Sequence, residues 1–227
     1  MHYVLSDIHG QYEVFEQMLN KLNLKSDDTL YILGDIIDRG PEVGKVIDTV
    51  MSLKNVQMIV GNHEYMMLES FKGNLKLYNY LNWKQNGCKT TLKDFNEFSK
   101  EKQDSIIDYF SSLPYKIEVD INGTHFILVH GYYIEERLNI TEKWKYNTVW
   151  KRYEPFEQGP ADAVVVFGHT PTWYYQKRID NKYMIWHGEH LIGIDCGLAG
   201  RNDKVEATQL GCLCLETMEE FYTGQED

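Results

Sequence analysis

Short apolar runs alternate with amphipathic stretches along the first part of the chain. The apolar runs at residues 2–6, 29–33 and 56–60 each predict a buried strand. Residues 12–24 place apolar side chains at the spacing of an amphipathic helix, and residues 41–53 predict a second helix with Pro41 in its first turn. This order of strand, helix, strand, helix and strand is typical of a parallel sheet in an α/β protein.

The pattern changes after residue 65. Residues 66–112 are polar with helical spacing, which predicts a helical insertion or lid. Residues 115–131 then predict a β-hairpin, because Asn122-Gly123 is a preferred type I′ turn sequence. Further strand-like runs follow at residues 162–170, 182–195 and 204–217. A length of 227 residues fits a single domain, 1–227, that contains the insertion.

Polar side chains follow several of the predicted strands directly. The stretches are SDIHG, GDIIDRG, GNHE, LVHG and FGHT, and they contain Asp7, His9, Asp35, Asn62, His63, His130 and His169. In open α/β sheets the carboxyl ends of the strands form the ligand-binding edge, so we expect these side chains to meet. Burying so many ionisable groups without partners would cost several kcal/mol each. A cluster of divalent metal ions would remove that cost.

The residue types suit a pair of metal ions. Asp7 and His9 are two positions apart, so both can point the same way at a strand end. The Asp35 carboxylate could bridge two ions, and Asn62 offers a neutral oxygen. Carboxylate, imidazole and amide donors without a thiolate suit manganese, iron or zinc better than a soft metal. We expect two divalent ions, with manganese as the first candidate and iron or zinc as alternatives. Two such ions could generate a metal-bound hydroxide and clamp a phosphoryl group for in-line attack.

Three neighbouring residues could bind and protonate a phosphoester held at such a pair of ions. Arg39 can bind phosphate oxygens through its forked guanidinium. His63 could protonate the leaving oxygen, and Asp38 could orient its imidazole. Neither a P-loop nor a GxSxG nucleophile motif is present in the sequence, which favours a hydroxide nucleophile over a side chain.

The five motifs, in this order, resemble those of the calcineurin-like metallophosphoesterases. They look most like the bacterial and phage serine/threonine phosphoprotein phosphatases, over residues 3–200. The resemblance implies a metallophosphoesterase fold, in which a central β-sandwich of two mixed sheets is flanked by helices. It also implies that Asp7 and His9 bind one metal ion and that Asp35 bridges. Asn62, His130 and His169 would bind the second ion.

The same resemblance assigns the substrate-facing residues. His63 would be the general acid with Asp38 as its partner, while Arg39 and Asn62 would contact the phosphate. The stretch VWKRYE is similar to a Trp-x-Arg element of the phage-type enzymes and places Arg152 as a second phosphate ligand; a surface salt bridge is its alternative role. The chain departs from the family pattern at Ser6, Tyr132 and Tyr133, near the expected substrate position, which leaves the choice of substrate open.

Hydrolysis of phosphoserine and phosphothreonine in proteins is the leading functional hypothesis. The first alternative is a symmetrical dinucleoside tetraphosphatase, a related class that tends to carry Ala at the position of Asp38 and Asp at that of Glu64. The second alternative is a nonenzymatic, metal-stabilised interaction module that uses segment 66–112 or the Trp173–Tyr175 edge. The partner is therefore expected to be a phosphorylated protein or a small phosphoester.

The composition limits which classes of partner and which cellular compartment we expect for the protein. The formal net charge of −11 disfavours a nucleic-acid binder, which needs a basic surface. The four cysteines lack paired spacing, and no long apolar segment or leader pattern precedes the first strand. We therefore expect a reduced, cytoplasmic protein without a membrane partner; no pattern predicts its oligomeric state.

Overall fold

The computed structural model describes residues 1–71, 77–135, 141–177, 179, 182–198 and 208–224. Its first half consists of β1 (His2–Leu5), α1 (Tyr12–Leu22), β2 (Thr29–Ile32), α2 (Val43–Ser52) and β3 (Val56–Met58). β1 pairs in parallel with β2, and β2 pairs in parallel with β3. The predicted parallel βαβαβ unit is therefore confirmed.

The buried face and the end of helix α1 both follow from its sequence. Val14, Phe15, Met18 and Leu22 are buried, so the apolar stripe faces the sheet. The helix ends at Asn23, which adopts a left-handed conformation with φ 43° and returns its backbone N–H to the carbonyl of Leu19. Asparagine tolerates this conformation better than most residues, and it therefore stops the helix here.

Four helices follow β3 in the described part of the chain. They are α3 (Asn62–Phe71), α4 (Leu77–Gln85), α5 (Lys89–Glu97) and α6 (Lys100–Ser112). Helical structure begins at Asn62 and not at residue 66, so GNHE opens a helix and does more than end a strand. Residues 72–76 of the predicted insertion lie outside the described residues.

The second half is rich in strands. The predicted hairpin is confirmed by β4 (Lys116–Ile121) and β5 (Thr124–Val129), which leave a two-residue turn between them. Asn122 and Gly123 have φ values of 52° and 83°, as a type I′ turn requires. The following elements are α7 (Glu142–Trp150), β6 (Val164–Phe167), a 3-10 turn (Thr172–Tyr174), β7 (Trp186–His187), β8 (Leu191–Gly193), β9 (Gln209–Cys214) and β10 (Glu220–Gly224). Helix α7 was not predicted, and residues 204–207 of the last predicted run lie outside the described residues.

Two mixed five-stranded sheets form the centre of the fold. Their strand orders are β10-β9-β1-β2-β3 and β4-β5-β6-β8-β7. Val4 and Tyr31 of the first sheet share one apolar cluster with Leu128 and Val166 of the second, so the sheets pack face to face. A second cluster joins the other face of the first sheet to the helices. The predicted metallophosphoesterase architecture, a sandwich of two mixed sheets with flanking helices, is confirmed.

The helices of the described residues are also informative about membranes. None of them combines the length and the apolar composition that crossing a bilayer requires.

Candidate metal centre

The predicted metal ligands lie at one edge shared by both sheets. Asp7 and Asp35 follow β1 and β2 of the first sheet, whereas His130 and His169 follow β5 and β6 of the second. Asn62 is the first residue of α3. All six predicted ligands are buried: Asp7, His9, Asp35, Asn62, His130 and His169. The fold thus brings together side chains that are far apart in the sequence.

Asp35 lies at the centre of this cluster. Its Oδ2 is 3.6 Å from His9 Nε2 and 3.4 Å from His130 Nε2. Two trios of potential ligand atoms, each within 4.8 Å of one another, share this carboxylate: His9, Asp35 and His63, and Asp35, His130 and His169. Asp7 Oδ1 is 3.8 Å from His9 Nε2, on the side of the first trio. This placement suits a carboxylate that bridges two ions.

Backbone carbonyls orient the three histidines that are predicted to bind metal. His9 Nδ1 is 2.8 Å from the carbonyl of Ile37, His130 Nδ1 is 2.6 Å from that of Leu33, and His169 Nε2 is 3.2 Å from that of Trp150. A ring nitrogen that faces a carbonyl carries a proton, so in the neutral imidazole the other nitrogen presents a lone pair to the cluster. Arg152 Nε lies 3.5 Å from His169 Nε2 and would require the opposite tautomer, but the carbonyl contact is shorter.

The surroundings of Asn62 test whether the site fits a cation. With the amide oriented as in this structure, Oδ1 lies 2.9 Å from His130 Nε2 and 2.8 Å from His169 Nδ1. When both ring nitrogens are unprotonated, acceptors face an acceptor, and a positive charge from a metal ion or from a proton on His130 relieves this contact. Burial lowers the pKa of His130, but the charges of Asp35 and Asp7, together with hydrogen bonds to Asp35 and to the Leu33 carbonyl, outweigh burial and raise the pKa to about 9. A divalent cation would supply the positive charge that this donor set requires, so the residues fit a metal.

The backbone around the cluster is unusual. In the described part of the chain, ten non-glycine residues have positive φ values, and six of them are predicted site residues: Asp7, His9, Asp35, Asp38, Arg39 and His169. Such conformations are costly for residues other than glycine, and they persist only where the surrounding structure holds them. Strain is therefore concentrated in the loops that carry the candidate centre.

Glu64 organises these loops, a role that the sequence analysis missed. Its buried carboxylate accepts backbone N–H groups of Asp35 at 2.8 Å, Ile36 at 3.0 Å and Gly61 at 3.0 Å. Burial and the charge of Asp35 raise the pKa of Glu64 to about 7. A Cβ on Gly61 would lie 2.2 Å from Asp35 Oδ1, so only glycine fits there. The sequence signal for this role is a glutamate in the first turn of a helix, because such a side chain can accept the backbone N–H of the residue that precedes the helix.

His63 and Asp38 form a fully buried pair beside the cluster. His63 Nδ1 is 2.5 Å from Asp38 Oδ2, and Arg39 Nη2 is 2.9 Å from His63 Nε2. This pairing was predicted from the sequence, whereas two further contacts to Asp38 were not. Trp83 Nε1 and Thr91 Oγ1 also donate to the Asp38 carboxylate, at 2.7 Å and 2.5 Å.

Comparison with known proteins now identifies the family. The sequence pattern of the calcineurin-like phosphoesterases matches residues 3–193. The chain belongs to this family. Members depend on two metal ions, so the protein is a metal-dependent phosphoester hydrolase, and the nonenzymatic alternative is disfavoured.

Individual relatives differ in their named substrates. The bis(5'-nucleosyl)-tetraphosphatase PrpE [asymmetrical] of Oceanobacillus iheyensis is 27% identical, over 86% of this chain and 82% of that protein. Serine/threonine-protein phosphatase 2 of Escherichia coli is 30% identical, over 58% of each protein. A metallophosphoesterase structure from Sphaerobacter thermophilus superposes with a TM-score of 0.58 at 16% identity, covering 99% of this chain and 88% of that one. That structural likeness supports the fold.

Two arginines of this phosphoesterase lie next to the centre. Arg39 is half-buried and contacts His63, whereas Arg152 is exposed just after α7 and approaches His169. The two guanidinium groups thus neighbour the two ends of the cluster. This location suits the predicted binding of a phosphoryl group.

Ser6 and Asp195 refine the description of the centre. Ser6 departs from the family pattern, but its hydroxyl is buried and donates to Asp7 Oδ2, so it faces a predicted ligand.

Asp195 was not predicted as a site residue, although it follows a strand (β8) as the predicted ligands do. Burial, together with the charge of Asp7, raises the pKa of Asp195 well above its usual value. Its Oδ1 accepts the N–H of Gly197 at 2.9 Å.

Proposed function

We propose that this phosphoesterase hydrolyses phosphoserine and phosphothreonine monoesters of proteins. The observation that carries the proposal is the buried pair of His63 and Asp38 beside Arg39. Serine and threonine leave as strongly basic alkoxides, so their release requires a proton donor. A dinucleoside tetraphosphate releases a nucleotide, whose phosphate oxygen is a weak base and needs little protonation. A well-positioned acid therefore favours the alkyl phosphomonoester.

The residues receive the following roles in this proposal. His63 delivers a proton to the leaving oxygen, and Asp38 orients its imidazole. Arg39 and Arg152, with Asn62, bind the phosphoryl oxygens. The proposed metal ligands are Asp7, His9, Asp35, Asn62, His130 and His169. Two divalent ions held there, with manganese as the expected metal, would supply a nucleophilic water and neutralise phosphoryl charge.

Cleavage of dinucleoside tetraphosphates is the second candidate. It is favoured by the similarity to the Oceanobacillus iheyensis tetraphosphatase, which extends over most of both chains. The symmetrical form of this activity is disfavoured by Asp38 and Glu64, which are the residues expected of a protein phosphatase and which both make buried contacts here. The two candidates share the same metal centre and differ in the leaving group.

The deciding experiment compares two substrates in the presence of manganese. We expect turnover of a phosphothreonine peptide to exceed that of diadenosine tetraphosphate. His63→Asn should lower peptide turnover by a factor of about 100 or more, the scale of general-acid catalysis. His125→Asn is the matched control, because His125 lies on the hairpin and contacts Asp120. Faster cleavage of the dinucleotide, whether symmetrical or asymmetrical, would contradict the proposal and support the second candidate.

A further inference from the structure

The Asp38 carboxylate is surrounded by hydrogen-bond donors. Oδ2 faces His63 Nδ1 at 2.5 Å and Trp83 Nε1 at 2.7 Å, while Oδ1 accepts the Thr91 hydroxyl at 2.5 Å. Thr91 Oγ1 in turn accepts the backbone N–H of Asp38 at 2.9 Å. Asp38 and His63 are 0% exposed, and Trp83 and Thr91 are each 1% exposed. Donor and acceptor roles are thus matched around one buried carboxylate.

This arrangement fixes the direction of the carboxylate. The indole N–H of Trp83 is a donor only, and the Thr91 hydroxyl donates to Asp38 because its oxygen already accepts from the backbone. Hydrogen bonds to an ionised acceptor are short and strong, and those between buried groups are stronger than those in water. Oδ2 is therefore held towards His63 Nδ1, which leaves His63 Nε2 on the side of the metal centre, 2.9 Å from Arg39 Nη2 and 3.8 Å from Asp35 Oδ2.

The two donors come from helices outside the βαβαβ unit. Trp83 belongs to α4 and Thr91 to α5, both within the segment predicted as an insertion. The turn between these helices also contacts Arg39, whose backbone N–H donates to Gly87 O at 3.1 Å and whose Nε lies 3.5 Å from Asn86 O. Segment 77–97 therefore contacts both the predicted acid pair and the predicted phosphate ligand.

A purely structural role is the alternative for these two residues. The Trp83 ring packs edge-on against Phe71 at a centroid distance of 6.1 Å, and such packing would need no functional explanation. The two roles can be separated by substitution. Trp83→Phe keeps an aromatic ring and removes the N–H, and Thr91→Val keeps the shape and removes the hydroxyl.

We propose that Trp83 and Thr91 are positioning residues that hold Asp38, and through it hold the His63 imidazole in the orientation that delivers a proton to the leaving oxygen. This inference rests on the proposed role of His63 as general acid. It assigns the helical segment 77–97 a part in catalysis that none of the five sequence motifs contains.

Leaving-group dependence is the first test. A phosphothreonine peptide needs protonation of its leaving oxygen, whereas nitrophenyl phosphate, with a weakly basic leaving group, needs little. We expect Trp83→Phe to lower kcat on the peptide about tenfold, the scale of one lost hydrogen bond to a charged group, with KM unchanged. Thr91→Val should lower kcat at least as much, because it also removes the acceptor of the Asp38 backbone N–H. The loss on nitrophenyl phosphate should be about twofold or less. Thr91→Ser, which keeps the hydroxyl, should recover most of the peptide turnover.

Proton NMR of the chelator-treated protein is the second test, and it is independent of turnover. The proton between His63 Nδ1 and Asp38 should give a strongly downfield signal, assigned by its loss in His63→Asn. We expect this signal to shift or broaden in Trp83→Phe and in Thr91→Val, and to return in Thr91→Ser. Because Thr91→Val is nearly isosteric, it tests the inference even if Trp83→Phe does not fold.

The outcomes separate the two hypotheses. The positioning role alone would be overturned if Trp83→Phe and Thr91→Val lowered turnover equally on both substrates and left the NMR signal unmoved. In that case His63→Asn would still lower turnover of the peptide more than turnover of nitrophenyl phosphate. If His63→Asn itself fails to discriminate between the substrates, the general-acid assignment fails, and the inference fails with it.

Discussion

Asp195 is a buried carboxylic acid whose charge is poorly balanced in the protein without metal. Burial and the nearby negative charge of Asp7 raise its pKa well above the usual value. The folded chain therefore keeps this proton at a pH at which the unfolded chain has released it. With fewer protons bound in the unfolded state, the free energy of unfolding falls as pH rises above about 4, the ordinary pKa of aspartate.

Replacing this single carboxylic acid should remove the pH dependence that it causes. In the chelator-treated protein, we expect Asp195→Asn to raise the free energy of unfolding at neutral pH and to flatten its decline with pH, because the amide still accepts from Gly197 and never ionises. Urea denaturation at about pH 5 and about pH 7.5 would measure this. Asp120→Asn is the control, since the Asp120 side chain is 80% exposed. An unchanged pH slope in Asp195→Asn would refute the prediction.

At the scale of elements, the hairpin turn provides a test in which backbone strain acts alone. Gly123 has a φ of 83°, and a Cβ built on it would meet no atom within 4 Å. Gly123→Ala should therefore cost about 1–2 kcal/mol of unfolding free energy through strain only. Gly123→Asn should cost less, because asparagine tolerates the left-handed region. Chemical denaturation would compare the two variants, and equal costs would show that strain is not the cause.

The positions of the ligands at strand ends could be predicted from the sequence, because most of the predicted ligands directly follow an apolar run that predicts a strand. Asp35 and His130 could be placed at one edge without knowledge of their contacts, since parallel strands share that edge. Trp83 and Thr91 could not be placed. They are 45 and 53 residues from Asp38, and no local periodicity records a contact between a helix and a distant loop.

Helix α7 shows a second limit of the sequence pattern. Trp144 is buried, whereas Tyr146, two positions later, is 49% exposed, so large apolar residues occur on both faces. The Trp144 indole is held by a contact from outside the helix, at 3.2 Å to the carbonyl of Ile134. Tertiary packing, and not an apolar stripe, therefore accounts for this helix, which delivers Arg152 to the centre.

At the scale of the whole molecule, the candidate centre joins the two sheets. His130 of the second sheet reaches the carbonyl of Leu33 in the first, and the backbone N–H of His169 donates to Asp7 Oδ2 at 3.0 Å. The same cluster holds buried carboxylates and imidazoles in close contact. Without a cation, protonation of His130, whose pKa is raised to about 9, compensates part of the negative charge of these carboxylates. Binding of a metal should therefore stabilise the association of the sheets and the folded state as a whole.

Removal of the metal tests this coupling without reference to any substrate. We expect chelation to lower the melting temperature in a single cooperative transition, and added manganese to restore it, because a ligand that binds only the folded state stabilises it by about 3 kcal/mol at 100 times its Kd. Asp35→Asn should weaken the response, since the shared carboxylate of both ligand trios loses its charge. Circular dichroism melting curves with and without metal would measure both proteins. Identical curves for the parent protein at all manganese concentrations would exclude a resident metal at this site, whereas an equal metal response in Asp35→Asn would place the ion elsewhere.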